Sequence, residues 1–75
     1  GDLVIVEERE TAENGEVVVA LVDGSDVTLK KFHREGARVR LQPANAAMHP
    51  LILEGSRVQV QGVVVGVIRH YRRTS

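Results

Sequence analysis

Two adjacent lysines stand in the run Val27-Thr28-Leu29-Lys30-Lys31-Phe32, and their type and placement could do chemistry. Lysine in a strand has two readings. As a solvated ammonium it only adds charge, the ordinary fate of a surface lysine. Desolvated in an apolar site it gives up its proton more readily, and the neutral amine is a general base able to activate a hydroxyl nucleophile. Side chains alternate along a strand, so Val27, Leu29 and Lys31 share one face while Thr28, Lys30 and Phe32 share the other. Alternation does not say which face is packed. Two aliphatic side chains opposite Thr and Phe predict that Lys31 caps the packed face by snorkelling, with Lys30 directed toward whatever lies across the second face.

The other chemistry-bearing residues form no comparable pattern. His33, His49 and His70 lack the i, i+2 or i, i+4 spacing that builds a metal site on one element, so they read as surface or rim histidines, and no metal or cofactor is expected. Glu7, Glu8 and Glu10 could be taken for paired carboxylates, but a solvated loop explains a charge run more simply. Ser25 and Ser56 fall in predicted turns and Ser75 at the end of the chain. No glycine-rich loop opens a helix to cradle phosphate, and without cysteine there is neither disulfide nor thiolate chemistry. The basic stretch around His70 and Tyr71, residues 69–73, reads as a frayed terminus rather than a nucleic-acid patch.

The elements that must position these residues are strands. Val, Ile and Thr dominate the apolar positions, Phe32 and Tyr71 are the only aromatics, and β-branched side chains pack well on a pleated surface. A first strand is predicted at residues 3–6, then a polar loop ending in the Asn14-Gly15 turn signal. Residues 16–22 form a nearly unbroken apolar run, read as a strand buried on both faces. Asp23-Gly24-Ser25-Asp26 reverses the chain, making residues 17–32 a hairpin, and a second turn at Glu35-Gly36 leads into the alternating run 37–42. Pro43 and Pro50 bracket an irregular connection with room for one helical turn. After a short run at 51–53 and a turn at Glu54-Gly55, residues 57–68 form the closing strand.

Seventy-five residues with ten basic and ten acidic side chains make one small domain whose net charge proposes neither nucleic acid nor anionic lipid as a partner. A chain of this size buries only about 60% of its unfolded surface, so the core is thin. No apolar run approaches the roughly 20 residues of a membrane-spanning helix, and no membrane partner is expected. The direct opening on Gly1-Asp2-Leu3-Val4-Ile5-Val6 suggests a fragment with an upstream neighbour.

Residues 26–52, DVTLKKFHREGARVRLQPANAAMHPLI, followed by VQVQGVVVGVIR, resemble the catalytic domain of LexA-type repressors. That Ser/Lys self-cleaving family also includes phage repressors and UmuD-type polymerase accessory proteins. The likeness runs from Gly1-Asp2 through Arg69. The family's valine-rich strand, turn and V-T-hydrophobic-K run fall on residues 17–31 and put its catalytic lysine on Lys30; Lys31 matches only the basic residue after it. Residues 38–45 resemble its R-L-x-P-x-N stretch and residues 61–69 its closing G-x-x-V-G-x-I-R segment.

The resemblance implies a mainly β fold of short, curved antiparallel strands of the LexA/signal-peptidase type. It places the nucleophilic serine, the scissile pair and the DNA-binding domain upstream of Gly1, so the 75 residues should be a partial catalytic and dimerisation domain, inactive alone. It further implies an SOS repressor of the DNA-damage response, cytoplasmic, without cofactor. Such a repressor binds operator DNA through its N-terminal domain and cleaves itself when a RecA-type recombinase filament promotes the cleavable conformation. Two other readings stand beside this one: a dimerisation or scaffold module with no activity of its own, and a UmuD-like or phage-repressor relative. Signal peptidase is disfavoured by the absence of an anchor and by the VGVIR ending. The closing strand is too apolar for an exposed edge, and the resemblance assigns Val65, Gly66, Val67, Ile68 and Arg69 to a homodimer interface.

Overall fold

The computed structural model describes residues 2–45 and 47–69. They form one antiparallel sheet of six strands and a single short 3-10 helix: β1 (Asp2–Glu7), β2 (Val17–Val22), β3 (Asp26–Glu35), β4 (Arg38–Gln42), β5 (Leu51–Glu54), the 3-10 turn Gly55–Arg57, and β6 (Val58–Arg69). The order across the sheet is β1-β6-β2-β3-β4-β5. The mainly β, antiparallel expectation is met, and the hairpin of residues 17–32 occupies the middle of the sheet.

Turn chemistry sets the reversals. Asp23 and Gly24 have φ of 53° and 73°, two successive positive values as a type I′ hairpin turn requires, and the Ser25 N–H donates to the Val22 carbonyl. Gly36, with φ of 63°, takes the first central position of the two-residue turn joining β3 to β4. Gly15 and Glu16 together oppose Phe32: the Gly15 N–H donates to the Phe32 carbonyl, the Phe32 N–H donates to the Glu16 carbonyl, and Gly15 has φ of 94°. This is a glycine bulge at the entry to β2.

The core is one face of a curled sheet. Val18, Ala20 and Val22 of β2, Phe32 of β3, Val39 and Leu41 of β4, Leu53 of β5, and Val60 and Val63 of β6 are all buried. Three residues of 3-10 helix join β5 to β6, so strands at positions two and six of the sheet are tethered within a short span and the sheet must bend round its apolar face. A bidentate ion pair fastens that bend: Arg57 Nε and Nη2 donate to the two carboxylate oxygens of Asp23 at 2.7 and 2.6 Å, and the Asp23 N–H donates to the Arg57 carbonyl.

Two local expectations are corrected. β2 is buried on one face only, since Val17, Val19 and Leu21 on the other face are half-buried with no second layer over them among the described residues. Between the prolines, Asn45 accepts the Ala47 N–H with its side chain and the Met48 N–H with its carbonyl, a turn rather than a helical one among the described residues. The turn expected at Glu54-Gly55 is present, as the 3-10 turn Gly55–Arg57.

Beyond the core, β1 and the second half of β6 make a two-stranded ribbon. β6 pairs with β2 from Val58 to Val63 and with β1 from Val63 to Arg69. The closing strand is therefore flanked by β1, while the opposite edge of Val65–Arg69 has no partner among the described residues. Leu3, Val4, Ile5, Val6, Val65, Val67 and Ile68 of this ribbon are all exposed. It lengthens the molecule to 53 Å against 29 and 23 Å in the other directions.

Candidate active site

Lys30 sits in the middle of β3, opposite Val18 of β2. Val18 is fully buried and Phe32, two residues on, is 2% exposed, so the Thr28, Lys30, Phe32 face is the packed one and the Lys30 side chain is half-buried. This reverses the expectation that Lys31 caps the packed face. Val27 and Leu29 sit on a stretch of β3 that β4 does not reach, and they are exposed, whereas Phe32 is paired with Leu41 and lies over the core. Lys31 is exposed on the outer face, between Val17 and Gln42 in the neighbouring strands.

The edge of β3 beside Lys30 is open. The Phe32 backbone bonds toward β2, so by antiparallel alternation Lys30 and Thr28 do the same, while Leu29 and Val27 direct their N–H and C=O groups to the other side. β4 pairs with β3 only from Lys31↔Gln42 onward, and after Gln42 the chain leaves the sheet through Pro43. No described backbone group bonds Val27 or Leu29 from that side.

A concavity of about 360 Å³ lies where the edge opens, lined by Val17, Leu29, Lys30, Lys31, Gln42, Pro43 and Ala44. Sequence reading found the lysines but not Val17, Gln42 or Pro43, whose place depends on where β4 ends. Among the described residues neither lysine has a carboxylate within ion-pair distance, whereas Arg9 has two and Arg38, Arg40 and Arg57 one each. An extended segment laid along Val27 and Leu29 would complete the sheet and present its backbone to the Lys30 amine.

The remaining candidates are elsewhere. Ser56 lines a separate concavity of about 480 Å³ with Glu10, Phe32, Arg34 and Gln59, and Ser25 lies in the β2–β3 turn, so neither is in the concavity that holds Lys30; Ser75 is outside the described residues. His33 is half-buried and His49 exposed, and no three His, Asp or Glu side chains gather as a metal site among the described residues. His70 and the rest of the basic tail beyond Arg69 lie outside the described residues. Glu7 and Glu16 both pair with Arg9, fixing the β1–β2 loop rather than forming a carboxylate site. The Glu13 N–H and the Arg9 guanidinium both donate to the Glu16 carboxylate and hold its pKa below the usual range.

Residues 1–65 match the Peptidase S24-like family. The chain belongs to that family. Within the Peptidase S24-like proteins it is similar to the LexA repressor of Koribacter versatilis, 58% identical over 71 residues covering 95% of this chain and 34% of that protein. The LexA repressors of Zymomonas mobilis and Clostridium novyi are 54% and 51% identical, again over 95% of this chain and 33% and 34% of theirs. The chain thus spans about a third of the length of the curated relatives it matches. No helix among the described residues is long and apolar enough to cross a membrane.

Proposed function

We propose that this chain is the part of a LexA-like repressor that supplies the general base of a Ser/Lys self-cleavage site, with Lys30 as that base. The supporting observation is a half-buried Lys30, without a carboxylate neighbour among the described residues, at an open strand edge beside an apolar concavity. In this reading the segment to be cut lies extended along β3. Free Lys30 amine takes the proton of a serine supplied by the rest of the protein, and the serine oxygen attacks the scissile carbonyl. The resulting lysine ammonium then gives its proton to the leaving amine, and water hydrolyses the acyl ester. A serine is required because the described serines, Ser25 and Ser56, lie away from the amine.

In the full-length protein, Lys30→Ala is expected to abolish self-cleavage, whereas Lys31→Ala slows it only severalfold. Timed gel electrophoresis after an alkaline shift measures both. Equal loss from the two changes would remove Lys30 from the base role. The operator DNA, the RecA-type filament and the cytoplasmic, SOS-linked setting belong to the same proposal and concern the whole repressor.

A second reading, a dimerisation module, is favoured by the ribbon of β1 and β6. Its exposed valines and isoleucines and its open edge at Val65, Gly66, Val67, Ile68 and Arg69 are what a strand paired with its own copy would cover. Both readings hold together in a full-length repressor.

A further inference from the structure

We propose that Lys31 is a specificity-determining residue of the Lys30 site, its ammonium receiving an acidic side chain of the segment that docks along the open edge of β3. The inference rests on the self-cleavage reading above. The concavity has an apolar lining of Val17, Leu29, Pro43 and Ala44, and no described carboxylate lines it. Lys31 stands at its rim between Val17 and Gln42, neither of which can neutralise it, and no described carboxylate pairs with it.

The strand register says where the acid must fall. A segment pairing with Val27 and Leu29 runs up against β4 at Gln42, because β4 already occupies the β3 edge from Lys31 onward. Its last paired residue is then a diagonal neighbour of Lys31, at about 7–8 Å, within reach of a long side chain. The acid also has to lie on the outer face. Beside Lys30 a carboxylate would hold the amine protonated and defeat the base, whereas beside Lys31 it is separated from Lys30 by the sheet itself. One lysine thus takes a proton on the inner face and its neighbour takes a charge on the outer face. Gln42, across the strand, can donate its amide N–H groups to the same carboxylate.

The test is the self-cleavage rate of the full-length protein at fixed pH, in about 0.05 M and 0.5 M salt. Lys31→Gln should slow cleavage about two- to fivefold at low salt, the range of an exposed ion pair, and should lose the salt dependence of the wild type. Lys31→Glu should slow it about tenfold, since like charges repel across a strand pair, and Lys31→Arg should restore the rate and its salt response. In the Lys31→Glu protein, changing the acidic residues of the cleaved segment to lysine one at a time should restore cleavage at one position. Wild-type rates and salt response in Lys31→Gln and Lys31→Glu, or slowing that no charge swap and no Lys31→Arg change relieves, would overturn the proposal while Lys30→Ala stays inactive. Cleavage that persists in Lys30→Ala would instead overturn the underlying reading and this inference with it.

Discussion

A lysine base works only as the free amine, which fixes the sign of its pH dependence. Protonation at low pH removes the base, so self-cleavage in the full-length protein should accelerate as pH rises and then level off. Rates measured by quenched time courses from neutral to alkaline pH test this, and a rate that falls with rising pH would contradict a lysine base. Lys30→Arg should be inactive across the same range, because guanidinium keeps its proton at any pH the fold survives. At this scale the alternation of β3 was legible: Lys30 and Lys31 do point to opposite faces. Which face is packed was not, because that depends on the partners of β3. Val27 and Leu29 are apolar enough for a core, yet β4 stops short of them, and Phe32 gains its burial from Leu41 across the strand pair.

The bend between β5 and β6 is fastened to the β2–β3 turn by Arg57 and Asp23. The guanidinium that donates to Asp23 holds its carboxyl below the usual carboxylate range. A carboxyl depressed in the folded state stabilises the fold above its unfolded value, about 3.9, and that contribution is lost as pH falls through the lower folded value. Glu16 has the same sign, with the Glu13 N–H as the larger cause and Arg9 the next. Urea midpoints should therefore fall below about pH 4, and Asp23→Asn should flatten this acid limb while lowering the midpoint at neutral pH. An unchanged pH profile would show that the ion pair does not couple to folding. A second element-level dependence is steric. A Cβ on Gly62 would lie 2.5 Å from Val6 Cγ1 and 3.1 Å from the Glu7 carbonyl oxygen, so the end of β1 needs a glycine beneath it. Gly62→Ala should cost about 1–3 kcal/mol, read from the urea midpoint, since the Glu7 backbone must move. A midpoint within error of wild type would mean that β1 repacks freely. Reversals at Asp23-Gly24 and Glu35-Gly36 were readable because positive φ selects Asp and Gly there. The turn at Glu54-Gly55 was readable too, but the ion pair that fastens it was not, since Asp23 lies 34 residues from Arg57 in the chain.

For the molecule as a whole, the β-branched composition and turn spacing identified an antiparallel β fold, and the resemblance gave its type. The curl of the sheet, its order and the projecting ribbon come from long-range pairing, above all the switch of β6 from β2 to β1 at Val63, which periodicity within one strand does not encode. That ribbon also sets the whole-molecule expectation. Val65 and Val67 of β6 are 55% and 56% exposed, Leu3 and Ile68 are comparably bare, and the edge of β6 beyond Val63 has no described partner. Exposed apolar strands with an open edge and no inward charge invite pairing with another copy, and a two-fold axis allows an antiparallel contact of Val65–Arg69 with itself. Val67 already pairs with Val4 of β1, so proline there would also disturb the subunit; a charge is the cleaner probe. Val67→Asp should weaken dimerisation at least about tenfold, because pairing would bury a carboxylate without a partner. Met48→Asp, at a position equally exposed (56%) in the β4–β5 connection, should leave it unchanged. Light scattering over a dilution series, with circular dichroism to verify folding, reads both. A wild-type protein that stays monomeric at high concentration, or a folded Val67→Asp protein that dimerises as tightly as wild type, would place the interface away from β6.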